Sequence, residues 1–250
     1  MTTTTKPRFA KLKRHYWNGK PLPDIFYEDP EPVEDGMFQQ PTISKVEEAL
    51  RRRFPDDFVS AGGFIMPDPE DGNNRFSPDT YISFGVNRER IAELEIPNYW
   101  TWEVGKMPEF ALEVASESTA DNDLNFKRDL YARLGFREYW LLDREGDLYG
   151  KPLTGLYRVG DGFEEYEVHA EPDGSIWAYS ELLRLEFWWL SDASEWDPFD
   201  VRDPATGKSI CVGAMYEEMN AMYEDERRAR LAAEAENRRL REALREAGRI

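Results

Sequence analysis

The sequence has 250 residues, of which 40% are hydrophobic and 14% aromatic, and this is enough to form one domain with its own core. Its formal net charge of −18 argues against a protein that binds nucleic acid through a basic face alone. A single cysteine, Cys211, excludes an intrachain disulfide and a CxxC metal or redox site. Neither a signal peptide nor an apolar run that could span a bilayer is visible, so we expect a cytoplasmic protein without membrane contacts.

Composition divides the chain into three predicted regions. Residues 1–40 begin with six basic side chains and no acidic one before Pro21, continue with a Pro-, Asp- and Glu-rich stretch, and are expected to form an extended arm. Residues 41–213 should fold as one domain, with a core over 41–145 and a β-rich extension over 146–213. Residues 214–250 are helical by pattern, with a weak coiled-coil seam.

Hydrophobic periodicity and turn signals predict the elements of the core. In chain order these are a helix from Pro41 to Phe54, strands over 58–66, 77–86 and 108–116, a helix that begins at an N-cap Asp123 and ends at Gly135, and a buried strand over 137–143. Short β-runs separated by turns at 160–162 and 172–174 should follow, as hairpins that extend or flank the sheet. This order predicts an α/β fold in which helices flank a mixed sheet.

An insertion at 87–108 interrupts the core and carries Tyr99, Trp100 and Trp102. The two tryptophans are candidates for stacking on nucleobases, as aromatic side chains do in single-strand binders. Aromatic residues in an insertion more often form a hydrophobic plug that holds it against the core, and we favour that interpretation.

Several common catalytic sites are excluded by the residue inventory. With only His15 and His169, the chain has too few histidines for a zinc-histidine cluster and almost nothing from which to build a Ser-His-Asp triad. It contains no P-loop, dinucleotide fingerprint or HExxH motif. The remaining chemistry is that of carboxylates.

Two carboxylates and a lysine form the candidate site. Asp79 begins one predicted strand, and Glu113 lies inside another between Leu112 and Val114, where an unpaired charge would be costly to bury. If the two strands are neighbours, both carboxylates meet at one end of the sheet and can hold Mg²⁺, which needs only one or two carboxylates and keeps several waters. Lys127 would project from the next helix to stabilise charge on a phosphate or to hold the attacking water.

Each of these residues also has an ordinary structural interpretation. Asp79 taken alone is typical of a turn, Glu113 of an exposed edge strand, and Lys127 of a solvated helix face. Ser116, Thr119 and Asp123 are best interpreted as strand-end and capping groups. Their combination, in this order, favours the metal site.

The ordered set of residues resembles the Uma-type restriction endonuclease family, part of the PD-(D/E)XK nuclease superfamily. The resemblance is carried by Pro78-Asp79, Glu113-Val114-Ala115-Ser116, Ser118-Thr119, Asp123-x-x-x-Lys127, Tyr131 and Glu138-Tyr139-Trp140. It implies a restriction-endonuclease-like fold over the domain at 41–213.

The same resemblance implies the roles of the site residues. Asp79 and Glu113 would bind Mg²⁺, or Mn²⁺ in its place, together with the Val114 backbone carbonyl. Lys127 would replace a lysine that most of the superfamily carries at the position of Ala115. The candidate supporting residues are Glu47 and Glu48 on the first helix, and Ser116, Asp123 and Tyr131.

The leading hypothesis is therefore a magnesium-dependent endonuclease that hydrolyses DNA. A homodimer is expected, because cutting both strands often needs two sites. Cleavage of RNA or of branched DNA differs only in substrate and stays open. The alternative from another class is a non-catalytic scaffold protein that keeps the fold, which the acidic charge favours and the intact Asp-Glu-Lys set disfavours.

Overall fold

The computed structural model describes residues 39–94, 96, 98–191 and 197–211, together with a short strand pair near the N-terminus. Its helices are α1 (Gln40–Arg53), α2 (Arg88–Leu94), α3 (Thr101–Val104) and α4 (Arg128–Leu134), and a π-helical segment, Asn122–Lys127, leads directly into α4. Its strands are β1 (Tyr16–Trp17), β2 (Lys20–Pro21), β3 (Phe58–Ala61), β4 (Ile65–Met66), β5 (Thr80–Ser83), β6 (Tyr99–Trp100), β7 (Phe110–Val114), β8 (Glu138–Leu142), β9 (Leu153–Val159), β10 (Gly162–Glu165), β11 (Val168–Ala170), β12 (Ile176–Ser180), β13 (Leu185–Trp189), β14 (Phe199–Asp203) and β15 (Lys208–Ser209).

The main sheet has six strands in the order β10-β9-β8-β7-β5-β3, and a second sheet has five in the order β11-β12-β13-β14-β15. In the main sheet β7 and β8 pair in parallel, whereas the other neighbours are antiparallel. Parallel strands need a crossover connection, and here the π-helical segment and α4 provide it. The predicted α/β class with a mixed sheet and flanking helices is confirmed.

Alternate side chains of β7 enter two hydrophobic cores. Phe110, Leu112 and Val114 pack in one core with α1 and with the inner face of the five-stranded sheet. Ala111 belongs to the second core, which includes Tyr131 of α4. The prediction that Phe110, Leu112 and Val114 share a face is confirmed. Glu113 must therefore point to the opposite face, which α4 covers.

The predicted strand over 58–66 is wrong in extent, because two glycines divide it. Gly62 and Gly63 both have positive φ, +63° and +86°, a conformation that other residues rarely adopt. The chain turns there, so β3 stays in the main sheet while β4 leaves it and pairs in parallel with β6 of the insertion.

The predicted N-cap at Asp123 is also wrong. Helical structure begins at Ala120, and Asp123 lies inside the π-helical segment with a fully buried side chain. The predicted end at Gly135 is confirmed, since this residue has a φ of +91° and its N–H donates to the carbonyls of Tyr131 and Ala132.

The β-rich extension contributes to both sheets. β9 and β10 form a hairpin through the predicted turn at 160–162 and extend the main sheet, and β11 and β12 are joined through the turn at 172–174. The predicted C-terminal helix at 214–250 and most of the predicted arm at 1–40 lie outside the described residues. No helix in the described part of the chain is long and apolar enough to cross a membrane.

The contact between β8 and β9 gives a test of packing. Gly155 of β9 pairs with Trp140 of β8, and a Cβ at Gly155 would lie 2.6 Å from the buried Trp140 ring. We expect Gly155→Ala to lower the free energy of unfolding by about 1–3 kcal/mol, because the ring must leave its packed position. Urea denaturation measures this change.

Gly162→Ala is the matched control, since no atom lies within 4 Å of a Cβ built there. Equal losses of stability in the two variants would show that backbone freedom, and not contact with Trp140, decides the effect.

Candidate active site

The strand order brings Asp79 and Glu113 together. β5 and β7 are antiparallel neighbours with Thr80 opposite Leu112, so the residue before β5 meets the end of β7. The Asp79 N–H donates to Glu113 Oε2 at 3.3 Å, and the Val114 N–H donates to Asp79 Oδ2 at 2.7 Å. Backbone contacts on both strands thus fix the relative position of the two carboxylates.

Glu113 is 1% exposed although it carries a carboxylate. Its Oε1 accepts a hydrogen bond of 2.8 Å from the Tyr131 hydroxyl, and its Oε2 lies 2.9 Å from Lys127 Nζ. Such partners are needed, because a buried charge without them would strongly destabilise the fold. Lys127 and Tyr131 therefore share the helix face that covers β7.

A second buried carboxylate, Asp123, holds the other side of the ammonium. Lys127 Nζ lies 2.8 Å from Asp123 Oδ1, four residues earlier in the π-helical segment. π-helical turns are rare and often occur at functional sites. Here the turn contains both residues, and both face the end of β7.

Asp123 is itself fixed by hydroxyl groups from two loops. Its Oδ2 accepts from Thr119 Oγ1 at 2.9 Å and from the Tyr149 hydroxyl at 2.8 Å. Ser116 Oγ is hydrogen-bonded to Thr119 Oγ1 at 2.7 Å, so Ser116 supports the loop and contacts Asp123 only through Thr119. Tyr149 follows β8, and local sequence patterns gave no reason to select it.

Burial dominates the electrostatics of the site. It raises the pKa of Glu113 to about 8; Lys127 opposes this shift, and Asp79 and Asp123 add to it. Burial acts to lower the pKa of Lys127, but Glu113 and Asp123 outweigh it and raise that pKa, so the ammonium stays charged. A carboxylate that binds its proton this tightly has a charged form that an added cation would stabilise.

The available donors fit a magnesium or manganese ion. Asp79, Glu113 and the Val114 carbonyl are all oxygen donors, the type that these ions prefer. The described residues contain no group of three or more His, Cys, Asp or Glu side chains that could hold a metal ion. An open site of two carboxylates that leaves room for water and phosphate is the kind that Mg²⁺ uses with phosphate substrates.

Gln39, just before α1, is a neighbour of the site that the sequence did not indicate. Its side-chain amide donates to the Ala115 carbonyl at 2.7 Å and, more weakly, to the Val114 carbonyl at 3.4 Å. The start of α1 thereby fixes the backbone at the end of β7. A single Gln before a helix has no local pattern that reveals such a long-range contact.

A cavity of about 640 Å³ adjoins the same end of β7. Its lining includes the chain from Val114 to Ser118, the loop that begins at Asp143, and Gln39. Asp143 is buried and accepts backbone N–H groups of Leu148 and Tyr149, both at 2.7 Å, so it orders that loop.

The two acids of α1 stand apart from the cluster. Glu47 accepts the Ala61 N–H at 2.9 Å and forms an ion pair with Arg51, whereas Glu48 is exposed and pairs with Arg52 at 3.4 Å. Among the described residues, neither forms a hydrogen bond or ion pair with Asp79, Glu113 or Lys127. Of the sequence-predicted set, the structure thus brings together Asp79, Glu113, Val114, Asp123, Lys127 and Tyr131, and it leaves Glu47 and Glu48 outside.

The insertion is held down as the plug interpretation predicts. Trp100 is buried and stacks on Trp102, with ring centroids 5.4 Å apart. Tyr99 is also buried, and its hydroxyl is hydrogen-bonded to Ser83 Oγ at 2.7 Å. The ring of Trp100 therefore has little surface free to stack on a base, whereas Trp102 is half-buried.

Comparison with known proteins adds the family. Residues 24–193 match the Uma2 family, described as "Putative restriction endonuclease". The crystal structure of a "putative nuclease belonging to DUF820" from Anabaena variabilis is similar at 15% identity and a TM-score of 0.42, covering 67% of this chain and 81% of that one. No curated protein is significantly similar to the chain. Because the family match spans well over half of the sequence, the chain belongs to the Uma2 nuclease family.

Proposed function

We propose that the protein is a divalent-metal-dependent endonuclease that hydrolyses phosphodiester bonds in DNA. The observation that carries this proposal is the buried Glu113 carboxylate, which meets Asp79 and Lys127 at one end of an apolar sheet. Membership of the Uma2 family supports the reaction class. The metal rests on the chemistry of the site, and DNA as the substrate rests on the description of the family as a restriction endonuclease.

In this proposal Asp79, Glu113 and the Val114 carbonyl hold Mg²⁺ or Mn²⁺. The ion would polarise the phosphate and lower the pKa of bound water. Tyr131 orients Glu113 through its hydroxyl, and the Val114 N–H fixes one oxygen of Asp79. These contacts hold the carboxylates in place before substrate arrives, which reduces the reorganisation that the reaction requires.

Lys127 supplies the positive charge on the helix side of the site. Its side chain is 12% exposed and its Nζ lies 2.9 Å from Glu113 Oε2, so the ammonium can reach a phosphate oxygen or water bound at that carboxylate. It would stabilise the negative charge that builds on the attacked phosphate, or orient the attacking water. A homodimer that presents two such sites to the two DNA strands stays a prediction.

Cleavage of supercoiled plasmid with Mg²⁺ or Mn²⁺ tests the site. We expect Asp79→Asn, Glu113→Gln and Lys127→Gln each to lower the rate by about 100-fold or more, because each change removes charge that acts on the transition state. The rate of nicking measures this, after circular dichroism has shown that each variant is folded.

Asp161→Asn and Lys151→Gln are matched controls, since Asp161 forms an ion pair with Arg158 and Lys151 with Glu165, and neither pairs with a residue of the candidate site. We expect full activity in both. Cleavage that survives all three site substitutions would contradict the assignment, and a wild type that cuts neither DNA nor RNA would favour the scaffold alternative.

Metal binding gives a second test that does not depend on substrate. An ion that binds only the folded protein stabilises it, by about 2.7 kcal/mol at 100 times the Kd. We expect Mg²⁺ and Mn²⁺ to raise the melting temperature of the wild type in proportion to the logarithm of concentration, and Asp79→Asn to abolish the rise. The same rise in Asp79→Asn would place the ion elsewhere.

A further inference from the structure

We propose that Lys127 closes the metal site in the metal-free protein, and that Asp123 accepts the ammonium when a divalent cation takes its place on Glu113. The inference rests on the proposed metal site and assigns to Asp123 a role as a positioning residue. It follows from the way in which the oxygens of the two buried carboxylates are occupied.

Both oxygens of Glu113 are occupied in the structure. Oε1 accepts the Tyr131 hydroxyl, and Oε2 contacts Lys127 Nζ at 2.9 Å and the Asp79 N–H at 3.3 Å. A cation that binds Oε2 would lie against the ammonium, and the two positive charges repel strongly beside a carboxylate that is almost fully buried. Binding of the cation therefore requires Lys127 to move.

Asp123 provides the place to which the ammonium can move. Its Oδ2 is fully used by Thr119 and Tyr149, whereas the partner of Oδ1 among the described residues is Lys127 Nζ, at 2.8 Å. Asp123 is wholly buried, so its carboxylate needs this cation whether or not Glu113 does. The ammonium can leave Glu113 and keep one ion pair.

This arrangement keeps Lys127 beside the reacting phosphate. Asp123 and Lys127 lie four residues apart in the π-helical segment, so release from Glu113 does not let the ammonium leave the face that covers β7. Without Asp123, Lys127 would have Glu113 as its sole buried counter-charge and would compete with the metal for it. Asp123 thus keeps the ammonium of Lys127 paired beside the phosphate and leaves Glu113 available as a metal ligand.

Calorimetric titration of the metal-free protein with Mn²⁺ tests the inference without measuring cleavage. We expect Lys127→Gln to bind Mn²⁺ about tenfold more tightly, since no ammonium competes, and Asp123→Asn to bind it at least about tenfold more weakly. In the double variant, Asp123→Asn should change the affinity of Lys127→Gln by less than about threefold. This non-additivity identifies an effect that passes through Lys127.

Two controls separate competition from general charge effects. Arg128→Gln removes a positive charge next in sequence to Lys127, from a side chain that is bonded instead to the Phe163 carbonyl. Asp121→Asn removes an exposed negative charge on the same helical stretch. We expect both to leave the Mn²⁺ affinity within about threefold of the wild type, since neither change alters the ion pair on Glu113.

Tyr149→Phe tests the same role with every charge retained. Loss of its hydroxyl loosens Asp123, so we expect weaker Mn²⁺ binding in the wild-type background and no change in the Lys127→Gln background. If Asp123→Asn does not fold, this variant decides between the alternatives.

Three results would overturn the inference. Lys127→Gln could bind Mn²⁺ no more tightly than the wild type, or Asp123→Asn could weaken binding equally in both backgrounds, as expected of a direct ligand. In either case the proposed metal site would not be contradicted, because the wild-type protein would still bind Mn²⁺. A wild type that binds no Mn²⁺ would contradict the proposed metal dependence as well.

Discussion

Burial of the Glu113 carboxylate near the end of β7, an inner strand of the main sheet, is the constraint on which the candidate site depends. A charge in this position would destabilise the fold by several kcal/mol if nothing paired with it. Lys127 and Tyr131 supply the pairing, and both come from the helical crossover between β7 and β8. The buried carboxylate is therefore stable only if that helix covers β7 and presents Lys127 and Tyr131 to it.

The loops on either side of the crossover also stabilise the buried charges, because they fix Asp123. The turn after β7 places Thr119 against Asp123, and the loop after β8 brings Tyr149 to the same oxygen. These two loops leave the parallel strands at the same end of the sheet, which is where strand order places the site. Gln39 joins α1 to that end from the other face of the sheet.

The sequence predicted those parts of the site that depend on residue type and order. Asp79 and Glu113 were recognisable because a carboxylate within an apolar strand is costly to bury. A second carboxylate at the start of a neighbouring strand suggests a bound cation that offsets this cost. Tyr149 and Gln39 were not recognisable, because their contacts join residues distant in the chain and follow no period. Asp123 was misassigned as an N-cap, because an acidic residue just before an apolar helical pattern is typical of that position. The sequence pattern does not reveal the π-helical turn that places Asp123 inside the helix.

Electrostatics sets an order of events for the proposed reaction. Three carboxyl groups, those of Asp79, Glu113 and Asp123, surround one ammonium. The cluster has a net charge of −2 when all of them are ionised, and of −1 when Glu113 keeps the proton that its raised pKa of about 8 favours at neutral pH. DNA phosphate would be repelled by such a cluster, and the chain as a whole is strongly acidic. A divalent cation cancels the −2 of the ionised cluster and removes this local repulsion. In the proposed reaction the cation therefore binds before the scissile phosphate, and the acidic character of the chain would make substrate binding depend on that cation.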